Sequence, residues 1–168
     1  MNKRVVMWLA IGVVPVLVSC AGSGRVLGPV GPQPVHADTL APAGFLKVYS
    51  ATENHADASM HYFPHTGYTV YAEDGKTVVT NVANDISVHD EDALLVQLPP
   101  GKYVVEARAD GYGTVRVGAV IERGELTTVN LRYDWSHPAP PGKASDWVRL
   151  SGGTVLGWSA GANASQGQ

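Results

Sequence analysis

Apolar and polar residues alternate along much of the second half of the chain, with the period of two expected for strands buried on one face. In the segment 102–109, four apolar residues beginning with Tyr103 share one face, and three charged residues lie on the other. The segments 114–122 and 127–133 repeat this pattern, and Gly118 interrupts it once. The pattern predicts three neighbouring strands, with a bulge at Gly118.

Shorter runs rich in strand-forming residues occur on both sides of these segments. They are 45–50, 68–72, 77–80, 94–98, 147–150 and 154–158. Asp74-Gly75 stands between two of the runs and is a strong hairpin signal, and Ser151-Gly152-Gly153 predicts a second hairpin near the C-terminus. No segment after residue 18 has the period of a helix. The sequence therefore predicts an all-β chain folded as an antiparallel, seven-stranded β-sandwich.

The first twenty residues have a different composition. Lys3 and Arg4 precede an almost uninterrupted apolar run over residues 5–18. These fourteen residues are too few to span a bilayer, which requires about 20. A basic start, a short apolar run and small residues at its end are the layout of a secretory signal peptide.

The end of this segment reads Leu17-Val18-Ser19-Cys20, which resembles the lipobox of bacterial lipoproteins. The resemblance implies cleavage before Cys20, acylation of its thiol and of its new amine, and anchoring in the bacterial cell envelope. Ala21 after the cysteine implies the outer membrane in enterobacteria, with the protein facing the periplasm or the cell surface. Two or three acyl chains anchor a protein stably. The alternative is an ordinary signal peptide in which Cys20 has no role.

The chain has 168 residues, 12 Lys or Arg, 15 Asp or Glu and a formal net charge of -3. Removal of residues 1–19 takes away two basic residues, so 10 positive against 15 negative charges give -5. This balance argues against a nucleic-acid partner, which needs a basic surface. The lone cysteine rules out an intrachain disulfide framework and a cysteine-rich zinc module.

Composition divides the chain into four parts. Residues 1–19 are the predicted signal peptide, and residues 20–43 are the predicted lipidated cysteine followed by a flexible tether rich in proline and glycine. Extended at about 3.1 Å per residue, such a tether would hold a domain tens of ångströms from the membrane. The predicted sandwich covers 44–133, and 134–168 holds a proline-rich spacer, the terminal hairpin and a frayed tail.

The run Leu98-Pro99-Pro100-Gly101-Lys102-Tyr103, followed by Gly111-Tyr112-Gly113, resembles the carboxypeptidase regulatory-like and PEGA-type domains. In those families a strand ends at such a corner, the next strand begins at the tyrosine, and a later glycine turn leads to a final strand like Val129-Asn130-Leu131. The resemblance implies a transthyretin-like (prealbumin-like) sandwich. It implies no single activity, because fold alone does not give function.

Two clusters have side chains that bind metals in other proteins. His55, His61 and His65 lie near two carboxylates, but their spacing fits no metal-ligand signature, and we expect solvated loop histidines. The acidic residues are Asp85, Asp90, Glu91 and Asp92. They lack the residue order of a calcium loop, so we expect a charged loop there. We expect no metal and no cofactor.

Catalysis is not expected, because the chain has no G-x-S-x-G motif and its one thiol is the predicted lipidation site. Four aromatic residues are candidates for contact with a protein partner or a sugar: Trp135, Trp147, Trp158 and Tyr112. Interfaces favour tryptophan. The sequence thus predicts a membrane-anchored lipoprotein with a non-catalytic interaction or structural module, whose partner is an envelope protein or a polysaccharide. The alternative is a carbohydrate-binding lipoprotein that uses exposed aromatic residues.

Overall fold

A computed structural model describes residues 25–33, 42–133 and 143–161. These residues form twelve strands and one short 3-10 turn, and they contain no α-helix. The strands are β1 (Val26–Gly31), β2 (Gly44–Tyr49), β3 (His55–Asp57), β4 (Met60–Tyr62), β5 (Tyr68–Ala72), β6 (Val78–Val82), β7 (Leu95–Leu98), β8 (Gly101–Ala109), β9 (Gly113–Ile121), β10 (Leu126–Asn130), β11 (Trp147–Arg149) and β12 (Val155–Ser159). The turn covers Ala144–Asp146. The prediction of an all-β chain is confirmed.

The strands form two sheets that share one apolar core, and a separate hairpin. The larger sheet has the order β11-β12-β1-β9-β8-β5-β6, the smaller one has the order β10-β2-β7, and β3 pairs with β4 alone. Core side chains such as Leu46, Val70, Val105, Val117 and Val129 come from both sheets. Most strand pairs are antiparallel, as predicted, but β1 runs parallel to β9 and β2 runs parallel to β10.

The central strands follow the predicted alternation. On β8, Val105 and Ala107 are buried while Arg108 is exposed, and β9 pairs with β8 along its whole length. Strand β10 differs, because four successive residues from Thr127 to Asn130 are buried. Both faces of β10 are covered, since the Thr127 hydroxyl donates to a carbonyl of β9 and the Asn130 amide donates to the carbonyl of Val155 on β12.

Strand β1 lies inside the segment that the sequence analysis treated as a tether without structure of its own. It pairs with β9 and with β12, and Val30 is fully buried. The predicted bulge at Gly118 is wrong for β9, whose register with β8 is continuous; the irregularity lies in β1 between Leu27 and Val30. Gly118 makes room for it, because a Cβ there would come 3.2 Å from the Cα of Pro29.

The chain beyond residue 133 also contributes to the large sheet. The predicted terminal hairpin forms, with Trp147 opposite Trp158, and β12 then pairs with β1. The folded unit therefore extends on both sides of the predicted 44–133 domain. At one end it includes residues 26–31, and at the other it includes residues 147–159.

Two turns are held by side-chain hydrogen bonds, and the first is the hairpin predicted at Asp74-Gly75. At the β5–β6 hairpin, Gly75 has a φ of 65°, and the Asp74 carboxylate accepts hydrogen bonds from Lys76 N and from Thr77 N and Oγ1. These bonds, that of the Thr77 hydroxyl first, lower the pKa of Asp74 to about 2. At the Pro-Pro-Gly corner, the Tyr103 hydroxyl donates to the carbonyl of Pro99 at 2.8 Å, which ties the new strand to the corner.

A buried asparagine joins the small sheet to the loop between β6 and β7. Asn84 is fully buried and has a φ of 70°, a conformation that asparagine tolerates better than most residues. Its amide donates to the carbonyl of Val48 at 2.9 Å and to the hydroxyl of Ser50 at 3.0 Å, and its oxygen accepts from Leu94 N at 3.1 Å. Ser50 and Asn84 also donate to the carbonyl of Thr66, which connects this network to the segment before β5.

Candidate functional site

The predicted partner contacts do not form one exposed aromatic surface. Trp158 is a core residue with 3% exposure, so its prediction as a contact for a partner or a sugar is wrong. Trp147 is half-buried, and the Arg149 guanidinium lies over its ring, 4.9 Å from the centroid. Trp135 and Cys20 lie outside the described residues. The burial of Trp158 follows from the position of β12, which lies between β11 and β1 in the large sheet and packs against β10 of the small sheet.

Tyr112 lies at the β8–β9 turn and is 38% exposed. Its neighbours Gly111 and Gly113 both have positive φ, which places the tyrosine at the tip of the turn. A Cβ added to Gly152 would overlap the Tyr112 hydroxyl, so the side chain lies against the turn of the terminal hairpin. Part of its surface is therefore already used within the molecule.

The predicted histidine cluster is divided between the surface and the interior. His55 and His61 lie on the β3–β4 hairpin, where His61 Nδ1 is 3.0 Å from the side-chain oxygen of Asn54. His65 is buried, contrary to the prediction of three solvated loop histidines. Within the described residues, no three His, Cys, Asp or Glu side chains form a group that could hold a metal ion.

A fourth histidine, which the sequence analysis did not single out, joins the hairpin instead. His89 comes from the loop between β6 and β7, and its Nε2 lies 3.2 Å from Asp57 Oδ2. Its ring packs edge-on against Tyr62, with 4.5 Å between centroids, and lies 6.0 Å from the His55 ring. The loop is thus held on the hairpin by an imidazole between a carboxylate and an aromatic ring.

The acidic residues of the same loop contact separate partners. Asp92 pairs with Lys47 at 2.7 Å, and this hydrogen bond lowers the pKa of Asp92. Glu91 accepts a hydrogen bond from Phe63 N at 2.8 Å, and Asp90 accepts one from Asp92 N. Asp92 thus joins the loop to the small sheet, Glu91 joins it to the end of the hairpin, and Asp90 bonds within the loop, so the three carboxylates do not converge on one point.

His65 has a defined tautomer. Its Nδ1 lies 2.7 Å from the carbonyl of Ser50, and a carbonyl only accepts, so Nδ1 carries the proton and donates it. Burial lowers the pKa of His65, which favours the neutral imidazole. Its Nε2 is a buried acceptor without a hydrogen-bond partner among the described residues. The ring packs edge-on against Tyr49.

His65 is part of the wall of an open cavity of about 440 Å³ between the hairpin and the start of β5. Glu53 and Arg108 line the same cavity and pair with each other at 2.5 Å, and Asp85 adds a second carboxylate. Asp85 belongs to the predicted acidic loop, whereas no local pattern indicates Arg108, because its partner Glu53 lies 55 residues away in the chain. The cavity offers hydrogen-bond acceptors and one cation, which suit water or a small polar molecule.

No protein-family model, no curated protein and no solved structure matches this chain. In the part of the chain that the structure describes, no helix is both long and apolar enough to cross a membrane.

Proposed function

We propose that this chain is a lipoprotein of the bacterial envelope, anchored through Cys20, that carries a non-catalytic β-sandwich as an interaction or structural module. The observation that carries the proposal is the short apolar run ending in Leu17-Val18-Ser19-Cys20. Its length suits a signal peptide and not a membrane span. An unpaired thiol in an exported protein is explained when it bears lipid.

The module is proposed to be a transthyretin-like sandwich. Three features support this assignment. They are the tyrosine that closes the Pro-Pro-Gly corner, the passage from β7 in one sheet to β8 in the other at that corner, and the placement in the small sheet of β10, which contains Val129 and Asn130. Each corresponds to a position at which the sequence resembles the carboxypeptidase regulatory-like and PEGA-type domains.

The charged groups favour a structural or binding role over chemistry. Arg108 is paired with Glu53 at the cavity, and on the large sheet Lys102 is paired with Glu73 at 3.3 Å. The neutral imidazole of His65 is oriented by a backbone carbonyl, which is ordinary for a buried structural histidine. Carbohydrate binding through exposed aromatic residues is less well supported, because Trp158 belongs to the core.

Cell fractionation of the Cys20→Ala variant tests the anchor. The wild-type protein should stay with the membranes after high-salt and carbonate washes and should need detergent for release, because two or three acyl chains hold it. Cys20→Ala should appear in the soluble fraction, while Ser59→Ala, at an exposed position, should stay membrane-bound. Membrane retention of Cys20→Ala equal to that of the wild type would contradict the proposal.

A further inference from the structure

We infer that the side of the domain that carries β1 rests at the surface of the lipid bilayer in which Cys20 is anchored. The inference rests on the proposed lipid anchor and specifies, in addition, the position of the domain relative to the membrane. It replaces the expectation of a long tether, because the folded part of the chain begins with Val26 and not with Gly44.

The first step is the length of chain between the lipid and the fold. Only residues 21–25 separate Cys20 from Val26, and their sequence is Ala-Gly-Ser-Gly-Arg. Six Cα-to-Cα steps of at most about 3.6 Å give a limit of about 22 Å.

The second step is that β1 cannot detach to lengthen this connection. It pairs with β9 from Val26 to Val30, and with β12 at Val30 and Gly31. Gly31 packs so closely on Ala160 that a Cβ added to Gly31 would overlap the backbone of Ala160. Two residues further on, Gln33 N donates a hydrogen bond to the carbonyl of Leu126 in the small sheet. Releasing β1 would open the core between the two sheets.

The third step is the surface beside β1. Gly28 and Pro29 are exposed at the bulge, and next to Pro29 lies a groove of about 350 Å³. Its walls include Val104, Val120 and Ala160, together with Glu73 and Lys102, which pair with each other at 3.3 Å. This side of the sheet thus offers both apolar and charged groups beside a strand that begins six residues after Cys20. A domain of this size has a radius of gyration of about 14 Å, so a connection of at most about 22 Å keeps the side that carries β1 near the headgroups.

Energy transfer from labelled protein to labelled lipid tests the inference. The full chain is purified with its lipid, which blocks Cys20, and carries one added cysteine for the donor dye. Gly28→Cys places the dye beside β1, where a Cβ meets nothing within 4 Å, and Val78→Cys places it at a 51% exposed position on β6. Four strand spacings separate the two strands in the sheet, or about 19 Å.

In phosphatidylcholine vesicles with an acceptor on the headgroups, transfer should be stronger from position 28 than from position 78. Inserting twenty Gly/Ser residues between Gly24 and Arg25 should weaken transfer from both positions, because the average span about doubles. If the protein binds the vesicles but energy transfer is equal at both positions, or is unchanged by the insertion, the inference is overturned and the anchor stands. If the purified full chain carries no lipid and does not bind the vesicles, the proposed function is refuted instead.

Discussion

Replacing Asn84 by alanine tests whether the buried amide network holds the loop between β6 and β7 on the small sheet. The side chain makes three hydrogen bonds of 3.1 Å or less, two as donor and one as acceptor. Their partners are the carbonyl of Val48, the hydroxyl of Ser50 and the amide of Leu94. Alanine would leave all three without this partner in a site that is closed to water.

The expected loss follows from two separate effects. Each of the three bonds stabilises the fold by about 1 kcal/mol, and buried partners left unpaired lose at least that much. Asn84 has a φ of 70°, and the left-handed region costs alanine about 1 kcal/mol relative to asparagine or glycine. Asn84→Ala should therefore lower the free energy of unfolding by about 4 kcal/mol, and Asn84→Gly by about 3 kcal/mol.

Equilibrium unfolding in urea, followed by tryptophan fluorescence in a lipid-free Cys20→Ala background, measures these differences. Asn81→Ala is the matched control, since Asn81 is exposed on β6 and its one side-chain bond is with the Thr69 hydroxyl; it should change stability by less than about 0.5 kcal/mol. Two results would refute the reasoning. One is a loss for Asn84→Ala no larger than that of the control, and the other is a larger loss for Asn84→Gly than for Asn84→Ala.

Three further predictions concern packing and titration. Gly44→Ala should lower the free energy of unfolding in urea by at least about 2 kcal/mol, because the added Cβ would overlap the backbone carbonyl of Glu122, directly after β9. Gly28→Ala should leave it nearly unchanged, since a Cβ there meets nothing within 4 Å, and equal effects of the two substitutions would contradict this reasoning. The free energy of unfolding should fall as pH drops below about 6.5, because the pKa of His65 is lower in the folded chain and the unfolded chain therefore binds the proton first. In urea unfolding measured at a series of pH values, His65→Gln should weaken this pH dependence. In a carboxyl NMR titration Asp74 should titrate at about 2, and Thr77→Val should raise its pKa toward 3.8; a pKa that does not move would disprove the role of the hydroxyl.

Local patterns predicted the parts of the fold that depend on neighbouring residues. The alternation in 102–109 gives the buried face of β8, and Asp74-Gly75 gives the turn between β5 and β6. In both, the information lies within a few residues of the feature, because side-chain period and turn conformation are set locally.

Strand β1 was missed for a physical reason. Its sequence, Val-Leu-Gly-Pro-Val-Gly, has the composition of a spacer, and its stability comes from parallel pairing with Arg116 and the residues after it in β9. A contact between residues 26 and 116 leaves no trace in the local sequence pattern. The same holds for Trp158, since the hairpin was predictable and the burial of its tryptophan depends on packing against distant strands.

The histidines show the same limit at the candidate site. Sequence spacing groups His55, His61 and His65, although only His65 is buried and bonded to the main chain at Ser50, directly after β2. His89 reaches Asp57 across 32 residues, so no short motif could pair them. Residue type indicated which side chains could carry chemistry, and tertiary contacts decided which of them lie together.

Mass spectrometry of the N-terminus of the protein purified from bacterial membranes is the most direct test of the lipid anchor. We expect the chain to begin at Cys20 and the N-terminal peptide to carry acyl groups on the thiol and on the amine. A mature chain that begins elsewhere, or one in which Cys20 is present with a free thiol, would contradict the anchor and the position of the domain at the bilayer.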